Sequence, residues 1–284
     1  MILSLRPGLP SRLAGPALAL ALAGPAAAQM QLPGAVAPTE AGAVASPTPA
    51  AKPKPKGPPP PPKIPSEDTL LNRTIQQNGR AGALQFARDG AELRVSKLTL
   101  PGERMSRASE QCAVDAPTPV ALQLNGRPHG LTSYKAAIEN CPIEFDVLEG
   151  AVLVAARPKA CEFPAADCRV DPAGLWGQPA SEIGANRAKE IERARNPAEQ
   201  NARENFRAWI EAVGKDRDLV RRVSREQAGF SSRRAEVCAS YAREAEHGYC
   251  SLLLTQARGV TLASRTPPPP EEPGEPQTRR RTQR

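Results

Sequence analysis

An α+β protein is expected from this sequence: a small disulfide-tied β unit, then a three-helix antiparallel unit, with disordered Pro-rich arms on either side. Three observations lead there. Apolar residues recur with period two between positions 91 and 154, then with a 3.6-residue period from 181 onward. Six cysteines follow an exported-type leader. Proline crowds both ends, with twelve prolines among the 35 residues of 31–65 and Pro267 to Pro270 near the other end.

The leader is residues 1–28. Arg6 and Arg12 precede an apolar run at 13–23, and Ala26-Ala27-Ala28 supplies small residues before Gln29. The run is too short to span a bilayer, so it reads as a cleaved secretory signal, with no integral membrane segment after cleavage. The residue directly after the cleavage site is Gln29, not cysteine, which argues against a lipid anchor. The expected location is periplasmic or secreted. Residues 29–65 form a Pro-rich linker, extended where Lys52-Pro-Lys-Pro-Lys runs into Pro58 to Pro62. Residues 266–284 form a second such arm, ending in Arg279-Arg280-Arg281.

Most of the net charge lies in these arms. Residues 1–65 hold six Lys/Arg against one acid (+5), and 266–284 hold four arginines against three glutamates (+1), so the total of +8 leaves +2 for 66–265. A nearly balanced folded part has no electrostatic footprint for nucleic acid. The arms suit loose attraction to anionic glycans or lipid headgroups, with peptidoglycan the corresponding partner.

Residues 66–178 are expected to hold an N-terminal helix and the β unit. Ser66 caps an amphipathic stretch through Leu70, Leu71 and Ile75 to Leu84 and Phe86, with Gly79 and Gly82 splitting it into two short helices. Strands follow at Leu93 and Val95, at Leu98 and Leu100 before Pro101-Gly102, and at Val120, Leu122 and Leu124 before the Asn125-Gly126 turn. Cys141, Ile143, Phe145 and Val147 alternate most cleanly, and Glu149-Gly150 turns them into 151–154 as a hairpin. Trp176 reads as a lid on the β core.

Residues 181–265 read as helical. Ser181-Glu182 opens a first pattern carrying Ile183, Ala188 and Ile191, and Pro197 is placed at the first turn of a new helix. Three helices are expected near 197–213, 217–243 and 249–264. Phe206, Trp209, Ile210 and Val213 make the apolar stripe of the first.

Cys112, Cys141, Cys161, Cys168, Cys238 and Cys250 allow fifteen pairings. Proximity in the chain favours Cys112–Cys141, Cys161–Cys168 and Cys238–Cys250. A metal site is disfavoured, because no C-x-x-C occurs and His129 and His247 are the two histidines. No G-x-S-x-G, P-loop, G-x-G-x-x-G or H-E-x-x-H motif is present, His129 has no identifiable nucleophile or orienting acid, and His247 reads as a helix-capping residue, so neither a catalyst nor a cofactor is expected. Candidate binding loops are 102–110 with Arg104, Ser106 and Arg107, the 127–129 turn, and 243–249.

The stretch 225–262 organises the helical part. Phe230, Arg234, Cys238 and Tyr241 share a helical stripe, Gly248 interrupts it, and Cys250, Leu253, Leu254, Ala257 and Thr261 begin another. The order Phe230, Arg234, Cys238, Gly248, Cys250, Thr255, Arg258, Leu262 resembles the N-terminal domain of LprI-type lysozyme inhibitors, over residues 198–262. The resemblance implies a small helical, disulfide-tied envelope domain with lysozyme as partner, and these eight positions as its structural residues. The expected function is non-catalytic binding, with a structural, peptidoglycan-associated protein as the alternative.

Overall fold

A computed structural model describes residues 61–156, 160–214 and 216–265. The signal segment 1–28, most of the linker and the 266–284 arm lie outside the described residues.

The expected fold class is overturned. Among the described residues, eleven strands join in one antiparallel sheet, eight of which close into a barrel. They are β1 (Thr74–Gln77), β2 (Ala81–Asp89), β3 (Glu92–Arg104), β4 (Gln111–Asp115), β5 (Val120–Leu124), β6 (Ser133–Ala136), β7 (Ile143–Leu148), β8 (Ala151–Ala156), β9 (Cys161–Phe163), β10 (Cys168–Val170) and β11 (Gly174–Gly177). The barrel runs β2-β1-β11-β8-β7-β6-β5-β3 and closes by pairing β2 with β3. Among the described residues four α-helices accompany it: α1 (Ala185–Val213), α2 (Arg217–Ala239), α3 (Glu244–His247) and α4 (Tyr249–Arg265).

The two helices expected over 66–86 are instead a short 3₁₀ turn, Glu67–Leu70, followed by β1 and β2. Leu84 and Phe86 point into the barrel and Gln85 out, an alternation that a helical spacing of the same apolar residues disguised. The 3₁₀ turn closes one barrel end. Leu70 is fully buried, Tyr134 donates to Glu67 at 2.6 Å, and the Thr69 hydroxyl accepts from Gly150 N at 2.8 Å. Inside, Phe145 sits 5.6 Å from Phe86 and 5.8 Å from Tyr134 between ring centroids. Trp176 is 1% exposed on β11, and its indole donates to Pro172 O at 2.9 Å. The barrel interior is thus a packed core of side chains.

β3 shows how the sequence bends the sheet. Its apolar phase slips between Val95 and Leu98, and the ladder slips at the same point, from Gln85↔Lys97 to Phe86↔Val95. Ser96 is the extra residue of a bulge. β3 also continues through Pro101-Gly102, where the sequence led us to expect its end. From Thr99, its last β2 pairing, it takes β4 on one edge, and from Gly102 it takes β10 on the other, with β9 beyond β10. Gly102 is needed there, because a Cβ would lie 2.4 Å from Arg169 O across the ladder.

Three disulfides are present and no cysteine is free. Cys112–Cys141 and Cys161–Cys168, favoured by proximity, do not form. Cys112 bonds Cys168 across β4, β3 and β10, and Cys141 bonds Cys161. Both pairs join segments 56 and 20 residues apart that the fold brings together, which distance along the chain does not report. Cys238–Cys250 joins the last turn of α2 to the first turn of α4.

Pro197 lies inside α1, not at a helix start. It is on the exposed side, where the carbonyl it leaves without a donor can meet water. Asp216 caps α2, accepting from the Asp218 and Leu219 amides at 3.0 Å each. Gly248, at φ +63°, ends α3, and Glu244 reaches forward to accept from Cys250 N and Ser251 N at the start of α4. The helices rest on the barrel through Leu131, Leu148, Ala151 and Leu175, packed against Ile191, Tyr249, Leu253 and Val260.

Candidate functional site

Arg104 at the end of β3, with Ser106 and Arg107 in the β3–β4 connection, stands at the tip of an arm formed by β4, the second half of β3, β10 and β9. Asp167, a turn residue at φ +49°, organises the tip. It accepts from Ser106 N at 2.9 Å and from the Ser106 hydroxyl, and lies 3.7 Å from Arg104 Nη1. Arg104 N donates to Glu110 O at 2.9 Å and Met105 N to Asp167 O at 3.1 Å, so the tip backbone is tied on both sides. Arg107 pairs with Glu110 at 2.7 Å, with its side chain 71% exposed. The hydrogen bonds from Ser106 hold the Asp167 carboxyl below the usual carboxylate range. The Cys112–Cys168 bridge sits immediately behind the tip.

Asp167, Glu110 and the 40%-exposed Met105 were not picked out from the sequence. For Asp167 a signal was available: an Asp after Pro164-Ala-Ala is a residue that tolerates the left-handed region in a turn.

The eight family-motif positions come together along the α2–α4 interface. Arg234 donates to Thr255 Oγ1 at 2.7 Å, and Thr255 donates in turn to Ser251 O. The guanidinium carbons of Arg234 and Arg258 lie 5.7 and 5.3 Å from the Phe230 ring centroid. Arg258 is 6% exposed and donates to Gln227 and Glu226 at 3.0 Å each. Leu262 is buried with Trp209 and Val223. Cys238, Cys250 and Gly248 fix the crossing. Every one of these positions packs the helices together.

The other two candidate loops are differently occupied. His129 Nδ1 lies 3.3 Å from Arg265 Nη2, with neighbouring Gly130 against Ser264. His247 is buried and bridges two backbone groups, Nε2 donating to Ala242 O and Nδ1 accepting from Tyr249 N. Arg243 pairs with Glu246 and donates to Ala180 O. Among the described residues, Cys238, Glu244 and Cys250 group donor atoms of metal-binding type within 4.8 Å. Two of them are consumed by a disulfide and the third by capping α4.

A groove of about 780 Å³ lies between α1, α4 and the β7–β8 turn. Leu148, Ala194, Ala198, Leu253 and Ala257 give it an apolar floor, and Pro61, Pro62 and Pro65 form one wall. Lys63 reaches Glu149 at 3.3 Å across its edge. No local pattern announces it, because its lining comes from four separate parts of the chain.

Comparison of the chain with protein-family models, with curated proteins and with solved structures finds no match.

Proposed function

We propose that this is an exported, non-catalytic binding protein that engages its target with the tip of the projecting arm, a lysozyme being the target class to which the α2–α4 resemblance points. The observation that carries the reading is the arm itself. A strand that outruns its barrel is stapled by Cys112–Cys168, and its tip is held by Asp167 while Arg107 stays open to solvent. A glycosidase cleft works with paired carboxylates. A rigid tip presenting guanidinium donors is complementary to such a cleft and loses little conformational entropy on docking. Three disulfides fit an extracellular or periplasmic setting, and among the described residues no helix is long and apolar enough to cross a membrane.

The test is lysis of cell walls by a lysozyme, titrated with the full mature chain. Stoichiometric slowing is expected, with Arg107→Ala weakening it at least about tenfold, an effect typical of losing one charged anchor. No slowing at equimolar protein would overturn the lysozyme assignment. Co-sedimentation with peptidoglycan that vanishes when residues 31–60 and 266–284 are removed would replace it with the wall-associated reading.

A further inference from the structure

α2 is gripped along a narrow stripe. Val223 and Cys238 are its buried residues, and Leu219, Val220, Glu226, Gln227, Phe230, Arg234 and Val237 are half-buried beside them. Its remaining surface is open, and there stand Arg217, Arg221, Arg222, Arg225 and Arg233 against only Asp218 and Glu236. Arg221 pairs with Asp218. Arg217, Arg222, Arg225 and Arg233 have no carboxylate partner among the described residues. At 1.5 Å per residue the row from 217 to 233 is about 24 Å long, and at about 100° per residue its members fan over the outward half of the helix. Asp218, Arg221, Arg222 and Arg225 rim a shallow depression of about 540 Å³.

What lies between the arginines is equally informative. Ser224, Ala228, Gly229, Ser231, Ser232 and Ala235 are small, and a Cβ added at Gly229 would meet nothing within 4 Å. No large apolar side chain is there to insert into hydrocarbon, and no aromatic face to stack on a sugar ring. A broad convex band of guanidiniums, with no large apolar or aromatic side chain among them, matches a plane of phosphates rather than a single glycan strand.

We propose that the outward face of α2 is a docking surface for an anionic phospholipid bilayer, with its arginines at the level of the headgroup phosphates. Contact of this kind is electrostatic and shallow, and it fades with added salt. It leaves the arm tip, on a different element, available for its own target.

The test is co-sedimentation of the full mature chain with vesicles of mixed phosphatidylglycerol and phosphatidylcholine, against pure phosphatidylcholine. Binding to the mixed vesicles is expected. Each arginine at an anionic surface contributes about a fivefold change in partitioning, so the triple variant Arg217→Gln/Arg222→Gln/Arg233→Gln should bind about a hundredfold more weakly. Glu236→Gln, which adds net positive charge to the same face, should tighten binding about fivefold. The thermal transition, unmoved in both variants, separates lost binding from lost folding. The proposal fails if the wild-type chain ignores phosphatidylglycerol, or if the triple variant binds as well as wild type, which would place the attraction in the cationic arms. It fails equally if the arginine-dependent partner is insoluble peptidoglycan.

Discussion

Glu226 is one carboxylate serving two guanidiniums, and removing its charge should be felt across the helical layer. Arg258 Nη1 reaches Glu226 at 3.0 Å, while Arg265 Nη1 lies 2.5 and 2.7 Å from its two oxygens. Arg258 is nearly buried and its Nη2 has no partner, so it has no other carboxylate to turn to. Breaking a deeply buried ion pair by removing one member costs about 3–5 kcal/mol. Here the Glu226 and Arg265 side chains are 36% and 31% exposed, and water screens part of the loss. For Glu226→Gln we therefore expect about 2 kcal/mol, read from urea denaturation midpoints at neutral pH. Adding Arg258→Met removes the uncompensated charge and the unpartnered N–H together, so the double variant should recover at least half of that loss. Burial pushes the Glu226 carboxyl up, but the hydrogen bonds and charges of Arg258 and Arg265 outweigh it and hold it below its ordinary value. Its contribution is thus present above the usual glutamate range and lost as pH falls through the depressed value, and Glu226→Gln should flatten the acid limb. A loss under about 0.5 kcal/mol, or a double variant clearly less stable than the single, would refute the assignment of this cluster as a buried-charge site.

Further outcomes follow from other parts of the molecule. Replacing Cys238 and Cys250 by serine opens a loop with a sequence separation of 12 and should cost about 3 kcal/mol by the chain-entropy relation, checked by denaturant titration. Gly102→Ala should destabilise by several kcal/mol, because its Cβ has only backbone to displace. Gly229→Ala, on the open face of α2, should raise stability by about 0.5–1 kcal/mol; both glycine variants are read by thermal melts. All three tyrosines are held above the usual phenol value, foremost by burial, with Tyr134 pushed up to about 12. Ultraviolet titration should find no phenolate near pH 10 in the folded chain. The stability these phenols confer is full below pH 10 and is lost as pH rises toward 12 and beyond.

How much of this could be read from the chain depended on whether the governing contact was local. The alternation through Ile143, Phe145 and Val147 and the Glu149-Gly150 turn appear as the β7–β8 hairpin, because neighbours in sequence are the partners. Barrel closure was invisible, since it rests on Gln77↔Trp176 and Ala83↔Thr99, which no local period reports. Leu70, Leu71 and Ile75 mimic a helical face because one contributes to a 3₁₀ plug and another to a strand. Pro197 misled in the opposite sense, as proline does when a helix can expose the unbonded carbonyl. At the arm tip, Arg104, Ser106 and Arg107 could be chosen as exposed polar residues of one loop. Their organiser, Asp167, lies 61 residues from Ser106 and comes into view only once β10 is laid beside β3.

For an exported chain, as we propose this one to be, the order in which the half-cystines leave the translocation channel gives the nested bridges a biosynthetic cost. Cys141 emerges while Cys168 is still inside, so Cys112 meets the wrong partner first, and the thiol that should eventually claim it arrives last of the four. Oxidation on arrival would trap the consecutive pair, and reaching the nested arrangement then requires a thiolate to attack that first-formed bond and release Cys112. On the proposed export route, the receiving compartment would have to supply disulfide exchange as well as an oxidant. The Cys238–Cys250 clip, whose halves emerge together and after all the others, needs only the oxidant.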